Sequence, residues 1–424
     1  MKLFRSATLV INAGLIVLGT VLLTISTAAR AKEFTEWGWP LPYEQVSEKS
    51  VRWLKEKGWW PLQAAYQAPW SGQNSINIVM DKQGFMSKRG VQASWQAFPS
   101  GPAVNEVITS GRFQIGNGAN FPITSLIDKK VPVKTIAIIS PHNLHAVVVP
   151  LNSPLKTLKD LKGSNPPATL GLVTGSSAEF YIRQASLANG IEIGKDVILK
   201  NMPPAEQMLL PQGLAGVVVW EPGAAIMMDS RKNGRAIDRI YPYSMFQGNF
   251  FVRRELVENV PDVVQALSDA YAEAVLWIRK NPEKTVETML ADPQLKNYPK
   301  DVLTTQVRLY NNFYKPTYIY PHAKFWGDTM EPIYSWMYQQ QRIERPLKGA
   351  DFAESVDKRF MDKTFERLGW AIPASPPFIP AGWAGSPAKI PYPEYITPSG
   401  TPQAFPERGD LTKAWQFGGK TYQP

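Results

Sequence analysis

The chain contains no cysteine and only three histidines among 424 residues. That scarcity excludes a disulfide framework, a thiolate zinc or iron–sulfur centre, a cysteine nucleophile and a lipidated bacterial N-terminus. It also leaves little material for a histidine-rich metal site. There is no basic run either: 46 Lys and Arg and 36 Asp and Glu are spread along the chain, for a formal net charge of +10. A nucleic-acid binder concentrates its cations, so no nucleic-acid partner is expected. Beyond the first thirty-one residues no apolar run approaches the ~20 residues that span a bilayer. Apolar surface, by contrast, is plentiful. With 44% hydrophobic and 19% charged residues, the composition supports a sizeable core, and the length allows two domains plus appendages.

Residues 1–31 read as an export signal. Lys2 and Arg5 precede an apolar stretch that begins at Ala7, and Ala29-Arg30-Ala31 fits the small-x-small pattern of a signal-peptidase site. Cleavage after Ala31 is the expectation, an uncleaved anchor the alternative. Export with no cysteine suits a periplasm, where a core must hold without disulfides. Residues 32–61 form a Trp-rich extension in which Tyr43 to Lys57 reads as an amphipathic helix ended by Gly58, packed on the main body. Residues 371–424 hold 11 of the 37 prolines, a density that blocks helices and central strands and predicts an extended tail.

Between these ends, short β-type runs alternate with helical patterns, which implies parallel-type sheets flanked by helices. Strands are expected at 91–98, 113–115, 133–139, 145–150, 169–173, 197–200, 216–220 and 250–253. Helices are expected at 102–110, 122–128, 177–189 and 261–280, and from 299 to about 314. Two α/β lobes joined by two crossings is the economical arrangement. The first lobe takes 62–151 and 244–370, and the second 152–243.

A strand–Gly/Ser–helix junction recurs in this series as Phe98-Pro99-Ser100-Gly101-Pro102, Gly116-Asn117-Gly118-Ala119-Asn120 and Thr174-Gly175-Ser176-Ser177. A helix start leaves backbone N–H groups without partners and carries roughly half a positive charge. Small residues let an anion approach, and Ser and Asn add donors. One such junction usually only caps a helix; three spread over two lobes point to a cleft for a small anion. Aromatic residues lie near them: Trp70, Phe121 and Trp220. Core filling accounts for most of the 14 tryptophans, but Trp70 and Trp220 sit at strand ends, where a pocket wall belongs.

The stretches Trp95-Gln96-Ala97-Phe98-Pro99-Ser100-Gly101 and Ser110-Gly111-Arg112-Phe113-Gln114-Ile115-Gly116-Asn117 resemble the nitrate/sulfonate/taurine-type periplasmic solute-binding proteins of ABC importers. So do Lys130-Val131-Pro132-Val133-Lys134, the segment from Asn152-Ser153-Pro154 to Gly163, Pro203-Pro204, Val219-Trp220-Glu221-Pro222 and Phe250-Phe251-Val252-Arg253-Arg254. Residues 164–168 depart from the family pattern. The resemblance covers roughly 62–290 and implies a two-lobed type II periplasmic binding protein with a hinge between the lobes, carrying the N-terminal helical extension and the Pro-rich C-terminal tail. It implies solute capture and delivery to an inner-membrane ABC permease; a monomer is expected. Its matching junctions imply an anion held by Ser100, Gly101, Gly118, Ala119, Asn120, Ser176 and Ser177. Position adds Trp70, Ser71, His142, Trp220 and Gln247. The ligand that the resemblance implies is a taurine-like, sulfonate-like or nitrate-like anion; Trp70 and Phe121, as acceptors of an aryl group, add an aromatic sulfonate or carboxylate as the competing expectation. No cofactor or metal is expected.

Two other classes remain. A periplasmic sensor would present ligand to a membrane receptor. An enzyme on the same fold, such as a thiamine-pyrimidine synthase, needs a cysteine-rich motif that this chain lacks. His142, His145 and His322 sit in no recognisable nucleophile–base constellation, so a binder rather than an enzyme is expected.

Overall fold

The computed structural model describes residues 39, 41–68, 71–139, 145–240, 243, 247–311, 319–368, 372, 415–417 and 420–422. The expected signal peptide, and most of the proline-rich tail, lie outside these residues. Among the described residues no helix is long and apolar enough to cross a membrane. All elements below belong to one compact unit, Tyr43–Pro424.

The elements alternate along the chain as α1 (Glu48–Glu56), β1 (Leu62–Gln67), α2 (Ser71–Lys82), β2 (Ala93–Phe98), α3 (Gly101–Thr109), β3 (Ile115–Ala119), α4 (Asn120–Asp128) and β4 (Val133–Ile139). A second series follows: β5 (Ala146–Pro150), β6 (Ala168–Leu172), α5 (Ser177–Ala188), β7 (Val197–Asn201), β8 (Gly216–Val219) and β9 (Gly234–Arg239). Strand β10 (Gly248–Arg253) leads into longer helices, α6 (Pro261–Lys280), α7 (Pro282–Leu290), α8 (Lys300–Asn311), α9 (Ala323–Gln339) and α10 (Arg359–Leu368). Strands β11 (Trp415–Phe417) and β12 (Lys420–Tyr422) pair antiparallel within the tail.

The strands form two five-stranded sheets, ordered β2-β1-β3-β10-β4 and β7-β6-β8-β5-β9. Each has the same plan. In the first sheet β1 runs parallel to β2 and β3, and β10 is antiparallel to β3 and β4. In the second β6 runs parallel to β7 and β8, and β5 is antiparallel to β8 and β9. The fourth strand of each order is the one by which the chain arrives from the other sheet. This is the two-lobed, type II periplasmic-binding-protein architecture expected from the sequence.

Four local expectations need correction. The helix read from Tyr43 starts at Glu48, because Ser47 caps it by accepting the Ser50 N–H at 3.2 Å. Tyr43 instead donates its hydroxyl to Glu273 at 2.7 Å. Strand β5, assigned to the first lobe, pairs with β8 and β9 of the second sheet. The strand expected at 113–115 runs from Ile115 to Ala119, so Gly116, Gly118 and Ala119 lie in a central strand rather than a turn. A β-carbon on Gly116 would come within 2.6 Å of the Phe251 ring; this glycine admits an aromatic core residue. Finally, the helix start expected at Pro122 comes two residues earlier, at Asn120.

The core runs through both sheets, where Ile136, Ile138, Val147, Val148 and Val217 are fully buried. Helix α8 joins the two cores. Its Val302 packs with Val217 and Met227 of the second lobe, and the adjacent Leu303, with Val307, packs with Tyr66 and Ile78 of the first.

The N-terminal extension is fastened to α6 by polar contacts. Ser47 N–H and Ser50 hydroxyl both donate to Asp262, at 2.7 and 2.5 Å. Beside them Arg89 and Glu273 form an ion pair at 2.5 Å with side-chain exposures of 2% and 0%. Removing one member of such a pair leaves an uncompensated buried charge. Glu273→Ala is therefore expected to lower the unfolding free energy by about 3–5 kcal/mol, read as a lower urea midpoint at unchanged slope. A loss under about 1 kcal/mol would mean that Arg89 is satisfied by its bond to Phe85 O alone.

Candidate functional site

In both sheets the strand ends that carry the Gly/Ser junctions lie on one edge, and three helix starts meet there. Ser100 is the N-cap of α3, its Oγ accepting the Ala103 N–H at 3.5 Å. Asn120 is the first residue of α4, and its Oδ1 accepts the Phe121 N–H at 3.0 Å. Ser176 caps α5, accepting the Ala178 N–H at 3.2 Å and donating its hydroxyl to Val173 O at 2.7 Å. First-turn N–H groups of these helices have no intrahelical acceptor, and each start carries partial positive charge.

The contacts between the starts are direct. Ser177 Oγ, in the second lobe, donates to Asn120 Oδ1, in the first, at 2.9 Å, and both residues are buried. A β-carbon on Gly101 would lie 2.6 Å from Pro122 Cγ, so α3 and α4 approach this closely only through glycine. Gly175 has φ +76°, and its β-carbon position is 3.4 Å from Pro102 Cγ across the lobes. The φ favours glycine, and the proximity favours a small residue.

Around this point lies a set of buried amides. Asn117 Oδ1 accepts the Gln67 N–H at 3.3 Å, and Asn249 Nδ2 donates to Gly118 O at 3.2 Å. Gln247 Nε2 reaches Asn249 Oδ1 at 3.5 Å and Met330 Sδ at 3.7 Å. Because Gly248 pairs with Ala119 in antiparallel register, Gln247 falls beside Asn120. Asn117 Nδ2 and Gln247 Oε1 are buried and lack a partner among the described residues. Buried polar atoms in that state call for a partner, such as water or a ligand.

One carboxylate stands nearby, and it is outnumbered. Glu179, in the first turn of α5, accepts the Gly175 N–H at 2.8 Å and pairs with Arg183 at 2.9 Å and Arg342 at 3.0 Å. The local formal charge is thus positive. An aromatic wall adjoins: Phe121 and Phe180, one from each lobe, lie 6.1 Å apart, and Trp336 of α9 is 5.9 and 5.7 Å from them. On the first-lobe side of the same edge, Ala68, Phe98 and Pro99 face Pro203, Pro204 and Met208 of the second lobe across a cavity of ≈ 260 Å³.

Of the residues singled out from sequence, Ser100, Gly101, Asn120, Ser176 and Ser177 come together, with Gly118, Ala119 and Gln247 immediately behind them. Trp220 does not join the wall; it packs inside the second lobe, 6.0 Å from His145. Trp70 and His142 lie outside the described residues, and of Ser71 only its place at the start of α2 is described. Gln67, Asn117, Asn249, Phe180, Trp336 and Arg342 were not found from sequence. Asn117 lies in the Gly116–Asn120 junction, whose composition suggests a turn residue rather than a strand residue. Trp336 and Arg342 come from a segment more than 150 residues along the chain, with no local signal.

The family model described as NMT1/THI5 like matches residues 73–285. No curated protein sequence matches the chain. Among solved structures, the alkanesulfonate-binding protein SsuA from Xanthomonas axonopodis pv. citri, bound to MOPS, is 17% identical with a TM-score of 0.59, covering 70% of this chain and 98% of its own. The periplasmic nitrate-binding protein NrtA from Synechocystis PCC 6803 is 16% identical with a TM-score of 0.61, covering 74% and 91%. The periplasmic aliphatic sulphonate binding protein SsuA from Escherichia coli is 19% identical with a TM-score of 0.55, covering 68% and 90%. At these identities the likeness is one of fold.

Glu221, two residues beyond β8 and buried, offers a test of electrostatics within the second lobe. Burial pushes its carboxyl from 4.5 up to about 7, against the Ala225 N–H, Arg239 and Gln306, which favour the ionised form. Between those values the folded protein keeps a proton that the unfolded chain has released. Its contribution is full below pH 4.5 and is lost as pH rises through about 7. Glu221→Gln removes the titration. The stability of wild type relative to this variant, from urea melts, is expected to fall by about 3 kcal/mol between acid and mildly alkaline pH; a flat difference would contradict it.

Proposed function

The chain belongs to the NMT1/THI5-like family, and from that premise we propose that it is the exported solute-binding component of an ABC importer. It captures one small organic or inorganic anion between its lobes, in the periplasm, and delivers it as a monomer to an inner-membrane permease. Proteins of the same fold are described as binding alkanesulfonate and nitrate, both permanently ionised at neutral pH. The observation that carries the reading is the Ser177–Asn120 contact, which brings helix starts from both lobes to one point.

A sulfonate or nitrate needs donors and no base. Here the donors are the first-turn N–H groups of α3, α4 and α5, the Ser177 hydroxyl and the Asn117 amide. An entering anion takes the Ser177 hydroxyl from Asn120 Oδ1, and the amide of Asn120 turns its N–H₂ face inward. Charge-assisted bonds of this kind are roughly twice as strong as neutral ones, and more so away from water. Arg183 and Arg342 keep Glu179 from opposing the guest. Closure thus costs least with the anion in place, and the closed population grows with ligand. The permease then reads the closed form.

The serine geometry supports capture without chemistry. A nucleophilic serine gives its proton to a base. Ser177 only donates a hydrogen bond to an amide oxygen, and Ser176 one to a backbone carbonyl, neither of them a base.

Asn120→Asp tests the site with little disturbance, because it keeps an acceptor for Ser177 and Phe121 and places a carboxylate where a helix start favours one. The fold is expected to keep its thermal midpoint, while affinity for methanesulfonate or nitrate, by calorimetry, falls about a hundredfold or more. Unchanged affinity would remove Asn120 from the site. Stabilisation of the wild type by neutral solutes alone would defeat the anion reading.

A further inference from the structure

The cavity between β1, β2 and the residues after β7 is not accounted for by an anion alone. It measures ≈ 260 Å³, and none of its ten lining residues is charged. Its walls come from both lobes. Ala68 follows β1, Phe98 ends β2 and Pro99 directly precedes the Ser100 cap, so the first-lobe wall runs straight into the start of α3. On the other side Pro203 and Pro204 follow β7, whose last residue, Asn201, holds the Thr174 N–H at 3.0 Å and so fixes the turn into α5. The loop after β2 thus builds both the α3 start and one wall of the cavity, and the strand that leads into the other wall braces the turn into α5. Tyr298, half-buried at the edge, has its hydroxyl pushed up to about 12 by burial, so it stays neutral.

Size and polarity set what fits. An apolar cavity of about 150 Å³ suffices for benzene, so ≈ 260 Å³ holds one six-membered ring with substituents, or a short alkyl chain. Nitrate leaves such a space unfilled, and unfilled apolar walls forfeit contact energy. A second charge finds no counter-charge among the lining residues and loses its hydration. We propose that the ligand is a monoanion with an uncharged apolar tail of about one ring, its head on the helix starts and its tail between Pro99 and Pro203–Pro204. This rests on the anion-capture reading and narrows it, setting nitrate and dianions outside the preferred class.

The test is calorimetric titration of the mature protein with nitrate, methanesulfonate, benzenesulfonate and benzene-1,4-disulfonate. Benzenesulfonate is expected to bind about ten- to a hundredfold more tightly than methanesulfonate, and the disulfonate no better than methanesulfonate. Ala97→Trp fills the cavity from the β2 side, where Ala97 lines it opposite Tyr66 in register. It is expected to erase the benzenesulfonate advantage while leaving methanesulfonate affinity unchanged. Ala205→Phe, from the opposite wall, repeats the experiment should the first variant fail to fold. Equal affinity for methanesulfonate and benzenesulfonate overturns the tail cavity and leaves anion capture standing. An advantage that persists in a folded cavity-filled variant also overturns it. No binding of any of the four overturns the anion reading, and the tail cavity with it.

Discussion

The architecture at the lobe interface turns on a close approach of helix N-termini that repel one another. Each start carries partial positive charge, and here three of them, from two sheets, meet within side-chain reach. Bringing like partial charges together costs free energy unless something negative or electron-rich lies between them. In the protein that role falls to oxygen atoms: Asn120 Oδ1 between α4 and α5, and Ser100 and Ser176 Oγ at their own helices. The neutral oxygens satisfy the donors only in part. A full negative charge at the same point would satisfy them better, and the proposed capture of an anion rests on that difference.

The same logic explains the placement of charge around the point. An unpaired carboxylate at Glu179 would occupy the attraction meant for a ligand, yet its Oε2 is needed to hold the Gly175 turn. Two guanidiniums on Oε1 reconcile the demands. One comes from α5 itself. The other, Arg342, follows α9, so the electrostatics of the cleft depend on a segment outside the alternating α/β series. Trp336 does the same for the aromatic wall, and the Arg183 guanidinium sits 5.7 Å over its ring.

This dependence marks the limit of what the sequence discloses. Alternation, glycine placement and capping residues are local, so eight of the ten strands of the sheets, all but β1 and β9, and the starts of α3 and α5 were legible to within a few residues. Helix α6 was legible at both ends, since Pro261 opens it and a 3.6-residue period runs to Lys280. The β3 segment failed because Gly-Asn-Gly-Ala is turn-like by composition, while its true state is set by Phe251, a residue on another strand. Strand β5 was misplaced for a similar reason: its apolar run fits either lobe, and only pairing decides. The amides Gln67, Asn117 and Asn249 are scattered over 183 positions and become a cluster only through sheet order. The three junctions could be read from sequence as one cleft because the alternation already divides them between two lobes; the resemblance then supplied the family.

Helix α8 then constrains how the cleft opens. Val302 and Leu303 are neighbours in sequence but belong to different cores, so the two lobes are linked by a packed helix as well as by two crossings of chain. Pulling Val302 out of the second core would expose an apolar side chain worth roughly 1.5–3 kcal/mol, with Tyr298, which packs on both clusters, disturbed as well. On the opposite side of the balance, parting the helix starts breaks the Ser177–Asn120 bond, worth about 1 kcal/mol net, and separates Phe121 from Phe180. Parting the starts also breaks the Arg342–Glu179 pair and separates Trp336 from Phe180.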